Sequence, residues 1–159
     1  MRRVVLSSSE DETQAAGSAL ANELFASRPC FVHLQGDVGA GKTAFARGFI
    51  RAWSALAKDP EPENITSPTY NIVKVYGKNA PLAHLDLYRV KHIEELSQIG
   101  FEHYFFELSC CIVEWLEQIP EAQAAKPPYT AVVQIKFSEE QSAQNMRELT
   151  IELPKPKAT

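Results

Sequence analysis

Residues 31–45 read FVHLQGDVGAGKTAF, an apolar run followed by a glycine-rich segment and a helix start. Within this stretch, residues 36–43 match the pattern G-x-x-x-x-G-K-[ST]. Glycines let successive backbone N–H groups turn inward around an anion, and a following helix aims its partially positive N-terminus at the same point. The segment therefore predicts a strand, a phosphate-binding loop (P-loop) and a helix, in that order.

The P-loop pattern assigns a role to each of its positions. Lys42 is expected to reach the β- and γ-phosphates of a nucleotide, and the Thr43 hydroxyl to ligate Mg²⁺. The guanine-specific string N-K-x-D is absent from the sequence, which favours ATP as the nucleotide. The other loop residues are expected to bind it as well: Gly36, Asp37, Val38, Gly39, Ala40 and Gly41.

Composition restricts the class of protein. A chain of 159 residues with 45% hydrophobic and 23% charged residues is typical of one soluble domain. Its formal net charge of -4 argues against strong intrinsic nucleic-acid binding, although contact with RNA through a complex stays open. We find neither a signal peptide nor an apolar run of membrane-spanning length, so we expect a cytoplasmic protein without a membrane partner. The three cysteines are interpreted as small buried residues in a reducing compartment: Cys30, Cys110 and Cys111.

Hydrophobic periodicity predicts an α/β fold with a mixed parallel and antiparallel central sheet, flanked by helices and ending in a C-terminal β-hairpin. We expect the domain to span residues 1–153, with a turn at 138–146 and a flexible tail at 154–159. Helices are predicted at 13–25, 43–57 and 93–99. Strands are predicted at 4–6, 30–34, 70–76, 82–87, 110–115, 129–137 and 147–153.

Two acidic residues stand at the ends of predicted strands. Asp86 is expected to hold Mg²⁺ either directly or through water, and Glu114 either ligates Mg²⁺ or polarises the attacking water. His84 shares the strand face of Asp86, and two interpretations of it stay open: a structural histidine bonded to Asp86 or a loop, or a chemical group. Trp115 is either a core anchor or part of the site wall.

The segment ITSPTY at residues 65–70 places hydroxyl side chains around a proline. Ser67 and Thr69 are candidates for a switch loop that senses Mg²⁺ and the γ-phosphate, and a plain Ser/Thr-rich turn is the alternative. Arg47 and Arg51, four residues apart on the P-loop helix, are interpreted as a solvated helix face.

Five strings occur in one order and at one spacing: GDVGAGKT at 36–43, SPTY at 67–70, HLDLYR at 84–89, EEL at 94–96 with Gly100 and YF at 104–105, and VEW at 113–115. In these strings the chain resembles the TsaE (YjeE) family of bacterial P-loop ATPases. The resemblance covers residues 13–115 closely and the remainder loosely. It departs at Leu116, where the family often has proline, and at Met146, where the family has glycine before an arginine.

The resemblance implies a P-loop NTPase-like fold, a site for ATP hydrolysis, and work in tRNA threonylcarbamoyladenosine (t6A) synthesis. It implies that Thr43, Glu114 and Asp86 serve the metal, that Lys42 also takes part in catalysis, and that Ser67 and Thr69 form a switch. It places Thr13 near the adenine and assigns Arg147 to the nucleotide.

The implied partners are TsaD and TsaB homologues, with tRNA met through their complex. Two other classes of protein stay open: a small-molecule kinase, and a nucleotide-dependent binding module with negligible turnover.

Overall fold

The strand that precedes the P-loop lies at the centre of a seven-stranded sheet. The structure, a computed structural model, describes residues 1–138 and 146–155. Residues 139–145 of the predicted turn and 156–159 of the predicted tail lie outside the described residues. The strands are β1 (Arg2–Ser7), β2 (Cys30–Gln35), β3 (Val73–Tyr76), β4 (Leu82–Asp86), β5 (Cys110–Glu114), β6 (Thr130–Phe137) and β7 (Arg147–Glu152).

Four α-helices are described, together with short 3₁₀ and π-helical turns. Their bounds are α1 (Glu10–Leu24), α2 (Lys42–Leu56), α3 (Ile93–Gln98) and α4 (Pro120–Ala124). Ser9 is the N-cap of helix α1, and its hydroxyl accepts a hydrogen bond from the Glu12 N–H group. In the part of the chain that the structure describes, no helix is both long and apolar enough to cross a bilayer.

The strand order is β1-β7-β6-β2-β5-β4-β3. Strand β2 pairs in parallel with β5 and β6, and β4 pairs in parallel with β5. The edges are antiparallel, because β3 pairs with β4 as one hairpin, β6 pairs with β7 as another, and β1 pairs with β7. The prediction of a mixed sheet with a C-terminal hairpin is confirmed.

The first hairpin differs from its prediction in length, because β3 begins at Val73 rather than at residue 70. Ile72 adopts a left-handed backbone conformation (φ 67°), which a strand does not allow. The Val73 N–H group donates to the Asn71 carbonyl at 2.8 Å and closes a tight turn there. The alternation of apolar residues therefore led to a predicted strand that was too long, because residues 70–72 form a turn.

Side chains on the two faces of the sheet form two separate cores. Helices α1 and α2 cover one face, where Val32, Leu34 and Ile112 are buried against Phe45 and other helix residues. Helix α3 and the residues after it cover the other face, where aromatic side chains of residues 101–105 pack on Phe31. Because successive side chains of a strand point to opposite faces, residues that are adjacent in sequence belong to different cores.

The cysteines follow this division. Cys110 belongs to the core beneath α1 and α2, and Cys111 to the core on the opposite face. All three thiols are buried and free of disulfides, and burial raises the pKa of Cys30 to about 12. These observations agree with the interpretation of small buried residues.

Helices α1 and α2 approach so closely that two glycines stand where any side chain would collide with backbone. A Cβ added at Gly17 would lie 2.1 Å from the Phe45 carbonyl oxygen. One added at Gly48 would lie 1.9 Å from the Gln14 carbonyl oxygen. Because atoms cannot approach so closely, the helix pair depends on glycine at both positions.

We predict that Gly48→Ala lowers the free energy of unfolding by about 3 kcal/mol, since the added methyl group must push α1 away from α2. In an unobstructed helix the same change would stabilise the fold by roughly 0.5–1 kcal/mol, so the sign of the effect is informative. Urea unfolding measures it, with Ser18→Ala as a helix control expected to stay within about 0.5 kcal/mol. A stabilised Gly48→Ala variant would contradict the close approach.

Candidate functional site

Parallel pairing brings the P-loop and both predicted acids to one edge of the sheet. The register places Leu34 of β2 opposite Glu114 of β5, and Glu114 opposite Asp86 of β4. The P-loop begins directly after β2, so it stands beside the ends of β5 and β4. In open α/β sheets, the carboxyl ends of parallel strands are where ligands bind.

The P-loop backbone has the conformation that its glycines allow. Gly39 and Gly41 have φ angles of 82° and 112°, a region that residues with a Cβ rarely adopt. Gly41 is the N-cap of α2, and Lys42 is the first residue of that helix. The loop therefore feeds straight into a helix N-terminus, which favours an anion.

A cavity of about 550 Å³ opens beside this helix N-terminus. It is lined by the P-loop residues Gly39, Gly41, Lys42 and Thr43 together with Ala44, Thr13, Arg147 and the segment Ser8, Ser9 and Glu10. The structure thus places Thr13 and Arg147 in the same cavity as the loop, while the expected contacts of Thr13 with the adenine and of Arg147 with the nucleotide stay predictions. No site role was expected from the sequence for the segment at 8–10, so its place at the cavity was missed.

Arg147 lies against the P-loop from the start of β7. Its Nε donates to the Ala40 carbonyl at 3.0 Å, and its guanidinium group lies 3.9 Å from the Phe137 ring centroid. These contacts fix the side chain at the mouth of the cavity, although Met146 replaces the glycine that the family has before this arginine.

The Lys42 ammonium group turns toward the loop and a tryptophan. It donates to the Gly36 carbonyl oxygen and lies 3.8 Å from the centroid of the Trp115 ring. Burial lowers the pKa of Lys42, while the charges of Glu114 and Asp86 oppose that shift. Trp115 therefore holds the P-loop lysine against its aromatic face, and it also packs against the core that contains Phe31, so both interpretations of it have support.

Ser67 and Thr69 meet the two acids directly. The Ser67 hydroxyl lies 2.5 Å from Asp86 Oδ2 and 3.1 Å from Glu114 Oε2. Thr69 donates to the same Asp86 oxygen at 2.9 Å. The 67–69 segment thus joins the ends of β4 and β5, a connection that a plain turn does not require.

Asp86 accepts a further hydrogen bond that orients its carboxylate. The Tyr88 N–H group donates to Oδ1 at 2.9 Å, so both oxygens of the buried side chain have partners. Trp115, the residue after Glu114, has a left-handed backbone conformation (φ 62°), as Ile72 has beside β4. Left-handed conformations of non-glycine residues cost energy and cluster at functional sites.

His84 is fully buried and bonded to Glu114. Its Nε2 lies 2.7 Å from Glu114 Oε2. The structural alternative for His84 named Asp86 or a loop as the partner, and this was wrong about the partner. The register explains the difference, because His84 lies diagonally across from Glu114 on the same face of the sheet.

A second buried histidine lies on the opposite face. His33 Nε2 is 2.9 Å from Glu117 Oε2. Burial acts to raise the pKa of Glu117, but hydrogen bonds from His33 and from the backbone, together with the nearby His33 and Lys42, lower the pKa on balance. Gly36 and Asp37 line a separate cavity of about 360 Å³ beside this pair, and Val38 is 72% exposed.

Arg47 does more than cover a solvated helix face. It pairs with Glu10 at 3.0 Å and donates to the Ile65 carbonyl at 3.3 Å. It therefore links α2 to the start of the 65–70 segment. Arg51, with a longer 3.7 Å contact to Glu61, agrees better with the predicted solvated face.

The donor set fits Mg²⁺ held jointly with phosphates. Within residues 1–138 and 146–155, no three His, Cys, Asp or Glu side chains are grouped to hold a metal ion by themselves. Magnesium at nucleotide sites uses one or two carboxylates, waters and phosphate oxygens, and needs no such group. The oxygens of Asp86 and Glu114, bonded to exchangeable hydroxyls, suit that role.

The sheet order, the loop after β2 and the acids on the neighbouring strands define an α/β fold of the P-loop NTPase-like class. The comparisons with known proteins agree with this assignment. The family model of the threonylcarbamoyl adenosine biosynthesis protein TsaE matches residues 7–149. The chain belongs to the TsaE family.

Several curated relatives bear the name tRNA threonylcarbamoyladenosine biosynthesis protein TsaE. That of Haemophilus influenzae is 36% identical over 105 residues, which are 63% of this chain and 63% of the relative. That of Bacillus subtilis is 35% identical over 112 residues, 70% of this chain and 65% of the relative. That of Treponema pallidum is 32% identical over 120 residues, 76% of this chain and 79% of the relative.

The chain therefore spans slightly less than two thirds of the first two relatives. A crystal structure of Bacillus subtilis YdiB superposes with a TM-score of 0.71 at 24% identity, over 98% of this chain and 87% of that chain. This likeness supports the fold.

We predict that Ser67→Ala lowers the free energy of unfolding by about 1.5 kcal/mol, since it removes hydrogen bonds to two carboxylates that stand side by side. Urea unfolding without nucleotide measures the change. Thr66→Ala is the control, because Thr66 is exposed, and it is expected to stay within about 0.5 kcal/mol. Equal effects of the two variants would contradict the bridging role.

Proposed function

We propose that this protein is a Mg²⁺-dependent ATPase of the t6A tRNA modification machinery. One observation carries the proposal: parallel pairing sets Asp86 and Glu114 side by side next to a P-loop, with the hydroxyls of Ser67 and Thr69 bonded to them. Acid-bearing strand ends, a P-loop and a hydroxyl-bearing segment are the parts that hydrolysis of a nucleoside triphosphate requires.

The P-loop binds the phosphates of ATP in this proposal. Its backbone N–H groups and the N-terminus of α2 surround the phosphate tail, while Lys42 leaves the Gly36 carbonyl and reaches toward the β- and γ-phosphates. Thr13 and Arg147 line the same cavity and bound the rest of the nucleotide. The cavity of about 550 Å³ lies within the range that small-molecule sites occupy.

Thr43, Glu114 and Asp86 hold Mg²⁺ in this proposal, and the ion neutralises charge that develops on the phosphates. Asp86 acts on the metal or on the attacking water. Because the Ser67 and Thr69 hydroxyls both bond Asp86 Oδ2, this oxygen meets the metal only when these hydrogen bonds exchange. The 65–70 segment thereby follows the state of the nucleotide as a switch.

The family and its relatives' names support the wider role. We infer that the protein works with TsaD and TsaB homologues and meets tRNA through their complex. The formal net charge of -4 agrees with a protein partner better than with direct binding to a phosphate backbone. In this role the protein works in the cytoplasm, where tRNA is modified. ATP turnover drives or resets the TsaD and TsaB complex.

We predict that Lys42→Ala and Asp86→Asn each reduce the rate of ATP hydrolysis at least about 100-fold, which corresponds to roughly 2.7 kcal/mol of barrier. Lys42→Ala should weaken ATP binding, because it removes a phosphate contact. Asp86→Asn should retain ATP and lose turnover. Phosphate release measures the rate, and calorimetry measures binding.

Glu102→Gln serves as the control, since Glu102 is exposed on the far face of the sheet and should leave both measurements unchanged. Turnover by Asp86→Asn within about threefold of the wild type would remove Asp86 from the mechanism. A phosphorylated small molecule formed at the rate of ATP loss would support a kinase instead.

We predict that purified TsaD and TsaB homologues from the same organism raise the ATPase rate at least about tenfold, because a partner that favours one state of the 65–70 segment shifts its population. Phosphate release with and without the partners measures the effect. Lys42→Ala should abolish the stimulated rate. A rate unchanged at partner concentrations that saturate complex formation would exclude this role.

A further inference from the structure

The buried His84 ring has a feature that the proposed mechanism does not use. Its side chain is fully buried, its Nε2 bonds Glu114, and its Nδ1 is buried without a hydrogen-bond partner among the described residues. A buried polar atom without a partner costs free energy, so an apolar side chain of similar size would suit a purely structural position better. Packing alone therefore does not explain why position 84 is a histidine.

The position of His84 shows what its ring supports. Leu82, two residues earlier on the same strand face, belongs to the core beneath α1 and α2, while Ala83 and Leu85 belong to the opposite core. His84 therefore lies between that core and the acids at the strand ends. A ring packed in the core and bonded to Glu114 is a rigid support below the carboxylate.

The two donors to Glu114 Oε2 come from elements of different kinds. His84 approaches at 2.7 Å from the middle of strand β4, and Ser67 approaches at 3.1 Å from the 65–70 segment. In the described part of the chain, Glu114 Oε1 receives no hydrogen bond. When the Ser67 hydroxyl moves away from Glu114, the hydrogen bond from His84 still fixes the Glu114 carboxylate. Its Oε1 is then the oxygen that carries no hydrogen bond from the protein.

We propose that His84 is a positioning residue for Mg²⁺ binding: its Nε2–H holds Glu114 Oε2 so that Oε1 is presented to the metal whichever way the 65–70 segment lies. The inference rests on the proposed function, since it concerns the same site. Because a carboxylate accepts hydrogen bonds, Nε2 carries the hydrogen in this arrangement. A carboxylate that is already held in place loses no further rotational freedom when it binds the ion, so binding is favoured.

The experiment measures how much Mg²⁺ strengthens nucleotide binding. Calorimetry gives the affinity for a non-hydrolysable ATP analogue in Mg²⁺ and in EDTA, and the ratio of the two values is the metal enhancement. His84→Gln places an amide nitrogen where Nε2 stood and keeps a donor to Glu114. His84→Asn is too short to reach and loses that donor.

We predict that His84→Asn reduces the metal enhancement at least tenfold, as Glu114→Gln does, while affinity in EDTA stays within twofold of the wild type. His84→Gln should remain within threefold of the wild-type enhancement. His33→Gln is the matched control: His33 is equally buried, pairs with a carboxylate and has an unpartnered Nδ1, yet lies on the opposite face. It should leave the enhancement unchanged.

Urea unfolding of each variant separates loss of the fold from loss of the metal effect. If only His84→Gln folds, a tenfold loss of its enhancement overturns the proposal and enhancement within threefold supports it. Equal enhancement in His84→Asn and the wild type overturns the positioning role while the proposed function stands. A wild type whose affinity for the analogue does not depend on Mg²⁺ overturns the proposed function itself.

Discussion

Parallel hydrogen bonding between β2, β5 and β4 is the interaction on which the rest of the site depends. It aligns three strand ends, so that the P-loop, Glu114 and Asp86 meet at one edge. Each strand is buried on both faces, and the two cores hold the strands in this register. A shift of one residue would turn Glu114 and Asp86 to the opposite face, away from α2. The core therefore determines the geometry of the site.

Much of this arrangement was predictable because it is encoded locally. Each glycine of the P-loop pattern is explained by the backbone conformation that the loop requires. The acids at residues 86 and 114 each end an apolar run, and such runs predict strands without knowledge of the strand order. The hairpins also follow from alternation and turns, as β6 with β7 shows. The start of β3 was predicted wrongly, because the alternation of residues 70–72 carries no sign of the left-handed conformation of Ile72.

The remaining features depend on contacts between distant parts of the chain. The bond from His84 to Glu114 joins positions 30 residues apart, and only the register of β4 with β5 makes them neighbours. The place of Ser8 to Glu10 at the cavity depends on how α1 packs on α2, and that packing depends on Gly17 and Gly48. In the sequence these glycines interrupt helical runs, which by itself weakens a helix prediction.

Two carboxylates side by side repel each other, and hydroxyl groups of the 65–70 segment donate into the space between them. The Ser67 hydroxyl lies within hydrogen-bonding distance of both acids, and Thr69 adds a second donor to Asp86. A divalent cation relieves the same repulsion more strongly, since it carries two charges where a hydroxyl carries a partial one. Under the proposed function, metal and segment therefore compete for Asp86 Oδ2, the oxygen that both hydroxyls bond. Arg47, bonded to the Ile65 carbonyl from α2, ties the start of that segment to the helix that follows the P-loop. In the proposed function, competition for Asp86 at one end and attachment to α2 at the other couple the position of the segment to the bound nucleotide.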